Sequence, residues 1–288
     1  MLDPDTIRLG YQLILDRAPS PAEVSAGQAA FADTGALRQA FLKSREFHRK
    51  FSLISQAAED ARIPALVQLM IPGTGGAALR DQLLAHPGLQ QAFELDDPRA
   101  EALRQMPPGD QRALRYVYGD LSYGVGAGLE GPHFYVTLLG DPGPRLHRLW
   151  QLWGADSGFG AFLETALDDP ALRAEIDNGQ IRRLAGNRSG SGLGQERDLL
   201  QTALHVALGP DLFLGFDTAP GALIGTLQDN GLFDGHAPPR LNPLPAHPDY
   251  AEDCARLSPD HRTLFDGYTA WDGYCYSVCR QLLLPDPT

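Results

Sequence analysis

The stretch LVQLMIPGTGGAALR, residues 66–80, decides the fold class. Its apolar start, residues 66–71, predicts a buried strand. The Pro and Gly residues of 72–76 predict a tight loop, and residues 77–86 predict a helix. A Gly-rich turn between a strand and a helix exposes successive backbone N–H groups at the helix N-terminus. This stretch therefore predicts an anion-binding turn in an α/β protein.

A second unit of the same kind lies farther along the chain. FYVTLL at 134–139 predicts a strand, GDPGP at 140–144 a turn, and residues 145–153 a helix. Past residue 60, apolar runs and helices alternate in the way typical of an α/β sheet. We therefore predict an α/β domain over residues 63–288, with a central parallel sheet flanked by helices in three layers.

The ends of the chain are helical in pattern. Residues 1–58 show helical periodicity and a capping box from Ser20 to Glu23, which predicts a small all-α N-terminal module. A long helix is predicted from Ser258, and Gly-rich residues 189–194 predict a loop. The C-terminal helix carries an apolar stripe that we expect in the core, composed of Leu264, Tyr268, Trp271, Cys275, Val278 and Leu282.

Composition excludes several classes of function. The 288 residues carry a formal net charge of -12, which argues against nucleic acid or an anionic membrane as the main partner. No membrane span or signal peptide is apparent, so we expect a cytoplasmic protein. Only three Cys are present, and Cys275 and Cys279 share a helix face without companion ligands. We expect these two as buried core, and no metal site is predicted.

The turn at residues 71–80 resembles the 5'-phosphosulfate loop of sulfotransferases. In that family the pattern P-K-T-G-G-T-S-L-R follows the first strand and grips the sulfate donor 3'-phosphoadenosine-5'-phosphosulfate. The matching residues are Pro72, Thr74, Gly75, Gly76, Leu79 and Arg80. The family lysine is Gly73 here, and the hydroxyl residues are Ala77 and Ala78. The resemblance implies that residues 72–77 hold the donor, with a neighbouring arginine such as Arg80 replacing the lost cation.

Residues 138–146, LLGDPGPRL, resemble the 3'-phosphate segment of that family, L-R-D-P-x-x-R-L-x-S. The resemblance implies that Asp141 and Arg145 belong to the donor site. The family's phosphate-gripping arginine is Gly140 here, and its serine is Arg148. From the first turn of the helix, Arg148 is expected to reach a phosphate.

Two further segments extend the resemblance. Residues 178–186, NGQIRRLAG, resemble the string N-x-Q-x-R-x-L-x-G of carbohydrate-type sulfotransferases, which implies a ligand role for Arg182. Alternatively, Arg182 and Arg183 pair with nearby acidic residues on a solvated surface. Residues 118–124 resemble a segment whose histidine serves as base, and Asp120 takes that place. The alternative for Asp120 is a turn or cap residue.

Residues 3–51 resemble a small bacterial helical module that is often joined to carbohydrate-modifying domains. We interpret it as a packing or interaction appendage, through which a protein partner would bind. For the whole chain the altered donor residues favour a sulfotransferase-like protein that has lost catalysis and binds a glycan, nucleotide or protein in the old cleft. The alternative is an active enzyme that moves a sulfuryl group to a carbohydrate hydroxyl, with Arg80, Arg145, Arg148 and Arg182 as substitute cations and Asp120 as base.

Overall fold

The computed structural model describes residues 2–15, 17–42, 44, 64–95, 100–186, 196–233 and 238–284. The predicted loop at 189–194 and the predicted boundary between residues 58 and 63 lie outside them.

A five-stranded parallel sheet forms the centre of the part of the chain that the structure describes from residue 64 onward. Its strand order is β2-β3-β1-β4-β5, and every neighbouring pair is parallel. The strands are β1 Ala65–Leu69, β2 Ala92–Glu94, β3 Tyr116–Gly119, β4 His133–Leu139 and β5 Leu212–Phe216. The predicted parallel α/β class is therefore confirmed.

The helices before and around the first strands are α1 Pro4–Ile14, α2 Pro21–Ala30, α3 Thr34–Leu42, α4 Gly76–Leu84, α5 Ala100–Gln105 and α6 Pro108–Ala113. Those that follow β4 are α7 Pro142–Trp153, α8 Phe159–Asp168, α9 Pro170–Ile176, α10 Gly179–Leu184, α11 Glu196–Ala207, α12 Pro220–Asp229, α13 Tyr250–Ala255 and α14 Pro259–Leu283. Both strand-turn-helix units predicted from the sequence are present, within a few residues of the expected bounds.

Strand order places a crevice between β1 and β4. From β1 the chain runs through α4 to the edge strand β2 on one side, whereas from β4 it continues to β5 on the other. Neighbouring strands whose connections leave in opposite directions form a crevice at their carboxyl ends, where α/β proteins bind ligands. The Gly-rich turn after β1 and the segment after β4 therefore meet at this point.

Both faces of the sheet are covered by helices, because the strands are apolar on both sides. On one face Val67, Leu69 and Leu139 pack with residues of α10, α11 and α14. On the other face Leu66 and Val136 pack with residues of α4 and α12. Alternate residues of β1 thus enter opposite cores, which fixes the register of the strand on which the turn is built.

Half of the stripe predicted on α14 is buried, whereas Leu264 and Val278 are half-buried and pack against the core. Tyr268, Cys275 and Leu282 are buried, as is Cys279. Trp271 was expected in the core but is 36% exposed, so that expectation was wrong. The neighbouring Asp272 is buried instead, because its carboxylate accepts hydrogen bonds from the backbone of α10.

The N-terminal helices form a small cluster around Ile7, Leu37 and Phe41, and α3 also contacts α14. The predicted capping box is present: Glu23 accepts from Ser20 N at 2.7 Å, and Ser20 Oγ accepts from Glu23 N at 3.3 Å.

Stability at acid pH is expected to depend on Glu23. Hydrogen bonds from Arg17 and from Ser20 lower the pKa of Glu23 from its ordinary value of 4.5 to about 2. A carboxyl with a depressed folded-state pKa contributes stability that is present above the unfolded-state value and is lost as the pH falls. We expect Glu23→Gln to reduce the fall in unfolding midpoint between pH 5 and pH 2. Thermal unfolding across this range, with Asp229→Asn as a surface control, measures the effect; superimposable profiles for Glu23→Gln and wild type would refute it.

Candidate functional site

The turn after β1 contains two glycines in the left-handed backbone conformation and is held by internal hydrogen bonds. Gly73 and Gly75 have φ angles of 78° and 83°, which glycine adopts without steric cost. The buried Thr74 hydroxyl donates to Ile71 O at 2.8 Å, and Gln68 Nε2 donates to Gly76 O at 2.7 Å. The predicted donor loop, residues 72–77, is therefore a rigid turn at the start of α4.

Arg145 ties this turn to the rest of the domain. Its side chain is 1% exposed, its Nε donates to Pro72 O at 2.9 Å, and its Nη2 donates to Glu175 O at 3.0 Å. Its Nη1 lies 3.6 Å from the buried carboxylate of Asp272. Burial lowers the pKa of Arg145, and the nearby carboxylates oppose this shift. The hydrogen bonds of Arg145 thus go to the protein's own backbone.

Arg148 is likewise used internally. Its Nε donates to Gly73 O at 2.7 Å, its Nη2 to Asp217 Oδ2 at 2.5 Å, and its Nη1 contacts Pro245 O at 3.4 Å. The Asp217 side chain is only 1% exposed, and burial raises its pKa although the Arg148 charge acts in the opposite direction. Asp217 was not predicted as a site residue. Its position directly after β5, at the carboxyl edge of the sheet, was the available signal.

Gly140 stands where the sulfotransferase pattern has a phosphate-binding arginine, and neighbouring residues fill the space around it. The Gly140 N–H donates to Gln180 Oε1 at 2.8 Å, and Gly140 O accepts from Gln180 Nε2 at 2.9 Å. A Cβ on Gly140 would lie 3.1 Å from Asp217 Oδ2 and 3.3 Å from Arg148 Nη2. The crevice therefore has no room here for even a short side chain unless its neighbours move.

A segment from later in the chain, residues 241–245, also lies at the crevice, and we name it the strap. Leu244 N donates to Asp217 O at 2.7 Å. The Leu244 side chain lies 3.7 Å from where a Cβ on Gly75 would be. The strap thus lies against the residue from which α4 begins.

Two predicted site residues lie away from this centre or on its rim. Arg80, on α4, pairs with Asp81 at 2.7 Å, and that carboxylate raises the pKa of Arg80. Its other titratable neighbours, Tyr118 and Glu94, lie on β3 and β2, on the side of β1 opposite β4. Asp141 is exposed at the N-terminus of α7 and makes no side-chain capping bond.

Asp120 follows β3 and belongs to a charged network. Its carboxylate lies 2.5 Å from Arg183 Nη1, and its side chain is 37% exposed. Arg183 also donates to both carboxylate oxygens of Glu175 at 2.7 Å. Arg183 is 1% exposed, so the expected pairing with a nearby acidic residue is present, with Glu175, but lies in the interior rather than on a solvated surface.

The polar string at residues 178–186 packs the helices together. Asn178 Oδ1 accepts from the backbone N–H groups of Trp271 and Asp272 at 2.8 and 3.0 Å. Gln180 clamps Gly140, and the buried Arg182 donates to Asp177 O at 2.8 Å. The structure thus brings together the turn, Arg145 and Arg148, whereas Asp120, Arg80 and Arg182 make their contacts elsewhere.

No family model matches the chain, and no curated protein matches it either. Among the described residues, no helix is long and apolar enough to cross a bilayer. The same part of the chain contains no group of three or more His, Cys, Asp or Glu residues arranged to hold a metal ion.

Proposed function

We propose that this chain is a sulfotransferase-like protein that does not transfer sulfuryl groups and acts as a binding protein for a glycan or protein partner. The observation that carries the proposal is the Arg148–Asp217 ion pair beneath the strap. A carboxylate here stands beside the arginine that was expected to reach a phosphate. The protein thereby supplies its own anion at this point.

Electrostatics favour this function over donor binding. An incoming phosphate would have to separate Arg148 from Asp217 and then lie close to the buried carboxylate, a like charge. The turn offers backbone N–H groups, but Gly73 provides no cation to stabilise the leaving group. Loss of a single stabilising donor costs roughly 100- to 1000-fold in rate. Weak binding and slow chemistry would therefore coincide.

The alternative, an active sulfotransferase, requires several groups to leave their present partners. Asp120 would have to accept a proton from a sugar hydroxyl while it pairs with the buried Arg183 through Oδ1. Three of the substitute cations are engaged with protein groups: Arg80 with Asp81, Arg145 with Pro72 and Glu175, and Arg148 with Gly73 and Asp217. Arg182 donates to Asp177 O through Nε alone, and its two Nη atoms are buried without a hydrogen-bond partner among the described residues. The geometry supports the binding protein better.

Calorimetric titration with 3'-phosphoadenosine-5'-phosphate tests the proposal without the need to choose an acceptor. We expect no binding at millimolar nucleotide, because Asp217 already pairs with Arg148 and repels a phosphate. Micromolar binding by the wild-type protein, weakened by Arg148→Ala and left intact by the surface control Arg104→Ala, would overturn it. Circular dichroism of each variant verifies that the compared proteins are folded.

A further inference from the structure

A groove of about 880 Å³ lies at the end of α7 opposite to the turn, between α7, α8 and α9. Its walls are fixed by short-range contacts. Trp150 Nε1 donates to Ser157 O at 2.9 Å, and the ring of Phe162 packs so closely on Gly154 that a Cβ there would lie 2.4 Å from it. Its volume is within the range of small-ligand sites, about 300–1000 Å³.

The groove presents an aromatic surface to solvent. Trp153 lines it and is 49% exposed, and its neighbour Leu152 is 66% exposed. Exposed apolar surface in a concave site is typical of ligand-binding grooves, and of these two residues Trp153 is the one that lines the groove. The face of an exposed indole attracts a cation through its quadrupole.

The charges that line the groove are all negative. Asp156, Asp169 and Glu175 contribute carboxylates, and no Lys, Arg or His is among the described lining residues. Arg183 balances Glu175 from behind. Helices α7 and α8 both end here, so their C-terminal carbonyls add negative partial charge. The N-terminus of α9, which carries positive partial charge, also lies here. The carboxylate of Asp169 offsets that charge, since it accepts from Ala171 N and Leu172 N.

The hydroxyl groups of the groove offer hydrogen-bond acceptors rather than donors. The Ser157 hydroxyl donates to Gly154 O at 2.8 Å, and the Thr165 hydroxyl donates to Ala161 O at 3.0 Å. Both hydroxyl protons are thus used within the protein, and the oxygens remain as acceptors. A ligand that fits this lining brings donors and positive charge.

We propose that this groove binds a small organic cation of the polyamine type. One ammonium group lies over the Trp153 ring and beside Asp156, and the aliphatic stem runs along Phe162 and Leu172. A second ammonium group reaches Asp169. The groove lies at the other end of α7 from the crevice, so polyamine binding does not depend on whether the crevice binds a nucleotide.

Titration with spermidine, followed by calorimetry and by tryptophan fluorescence, tests the inference. We expect saturable binding that Trp153→Ala and Asp156→Asn each weaken about tenfold. Trp271→Ala and Asp260→Asn are matched controls, because they remove an exposed tryptophan and an exposed carboxylate from α14, outside the groove. Affinity in these controls is expected to stay within about twofold of wild type.

Three results would overturn the inference. The first is absence of binding at millimolar spermidine in the folded wild-type protein. The second is an equal loss in Asp156→Asn and Asp260→Asn, which would indicate only general attraction to an acidic surface. The third is equally tight binding of the neutral trisaccharide maltotriose that depends on Trp153, which would make the groove a sugar site. Failure here leaves the proposed function intact, because nucleotide titration tests the crevice separately.

Discussion

The double variant Gly73→Lys with Gly140→Arg, which restores the basic residues of the sulfotransferase pattern, is expected to lose stability and to gain no affinity for 3'-phosphoadenosine-5'-phosphate. At Gly73, φ is +78°, and a Cβ would lie 3.2 Å from Arg145 O, a backbone atom. A side chain in this left-handed region costs about 1–2 kcal/mol. Gly140 is enclosed by Asp217, Arg148 and Thr74, all within 3.3 Å of an added Cβ. Overpacking there costs about 1–3 kcal/mol more, before the guanidinium is buried.

Denaturant unfolding and nucleotide titration of the same samples measure both parts of this prediction. The matched control is Gly225→Lys with Gly273→Arg, because a Cβ at either position meets nothing within 4 Å. That control adds the same two charges in helices and is expected to keep wild-type stability or to exceed it. A restored variant that is as stable as wild type and binds the nucleotide at micromolar concentration would mean that the crevice opens readily, against the proposed function.

Asp272→Ala is expected to cost about 3–5 kcal/mol of unfolding free energy. Asp272 is the buried counter-charge for Arg145, at 3.6 Å, and it accepts from Gln180 N and Ile181 N at 3.1 and 2.9 Å. Its removal leaves a buried guanidinium and the first N–H groups of α10 without this partner. Because Arg145 also holds Pro72 O, the turn after β1 should loosen together with the helices.

Urea unfolding measures this cost, and Asp266→Ala, an exposed carboxylate on the same helix, is the control with an expected change below about 0.5 kcal/mol. Asp272→Asn keeps an acceptor and the side-chain volume, so it should lose less unfolding free energy than the alanine variant. It should therefore fold even if the alanine variant does not fold. Equal stability of Asp272→Asn, Asp266→Ala and wild type would contradict the role given to this carboxylate.

These variants distinguish the local sequence pattern of the polar segments from the long-range contacts that their side chains make. The resemblance to donor-binding patterns rests on short local segments, and two of these follow the carboxyl ends of β1 and β4. Their arginines, however, pair with residues such as Asp217 and Asp272, which lie outside these segments. A motif residue is therefore available to a ligand only if distant parts of the chain leave it so.

The sequence by itself determined the fold class and two strand-turn-helix units, whereas β2 and β3 were not predicted from it. Apolar runs ended by Gly and Pro fixed β1, its turn and β4, because period, breaker residues and capping act within a few residues. The capping box at Ser20 and Glu23 was predictable for the same reason. The parallel sheet followed from strands that alternate with helices.

Only the tertiary structure decided what the side chains do. The stripe on α14 gave no reason to prefer Asp272 over Trp271 for burial; the backbone N–H groups of α10, some ninety residues earlier, made that choice. Arg148 looked like a phosphate ligand until β5 brought Asp217 to within 2.5 Å of it. Charge pairing depends on distance in space and on burial, and neither quantity is encoded in local spacing.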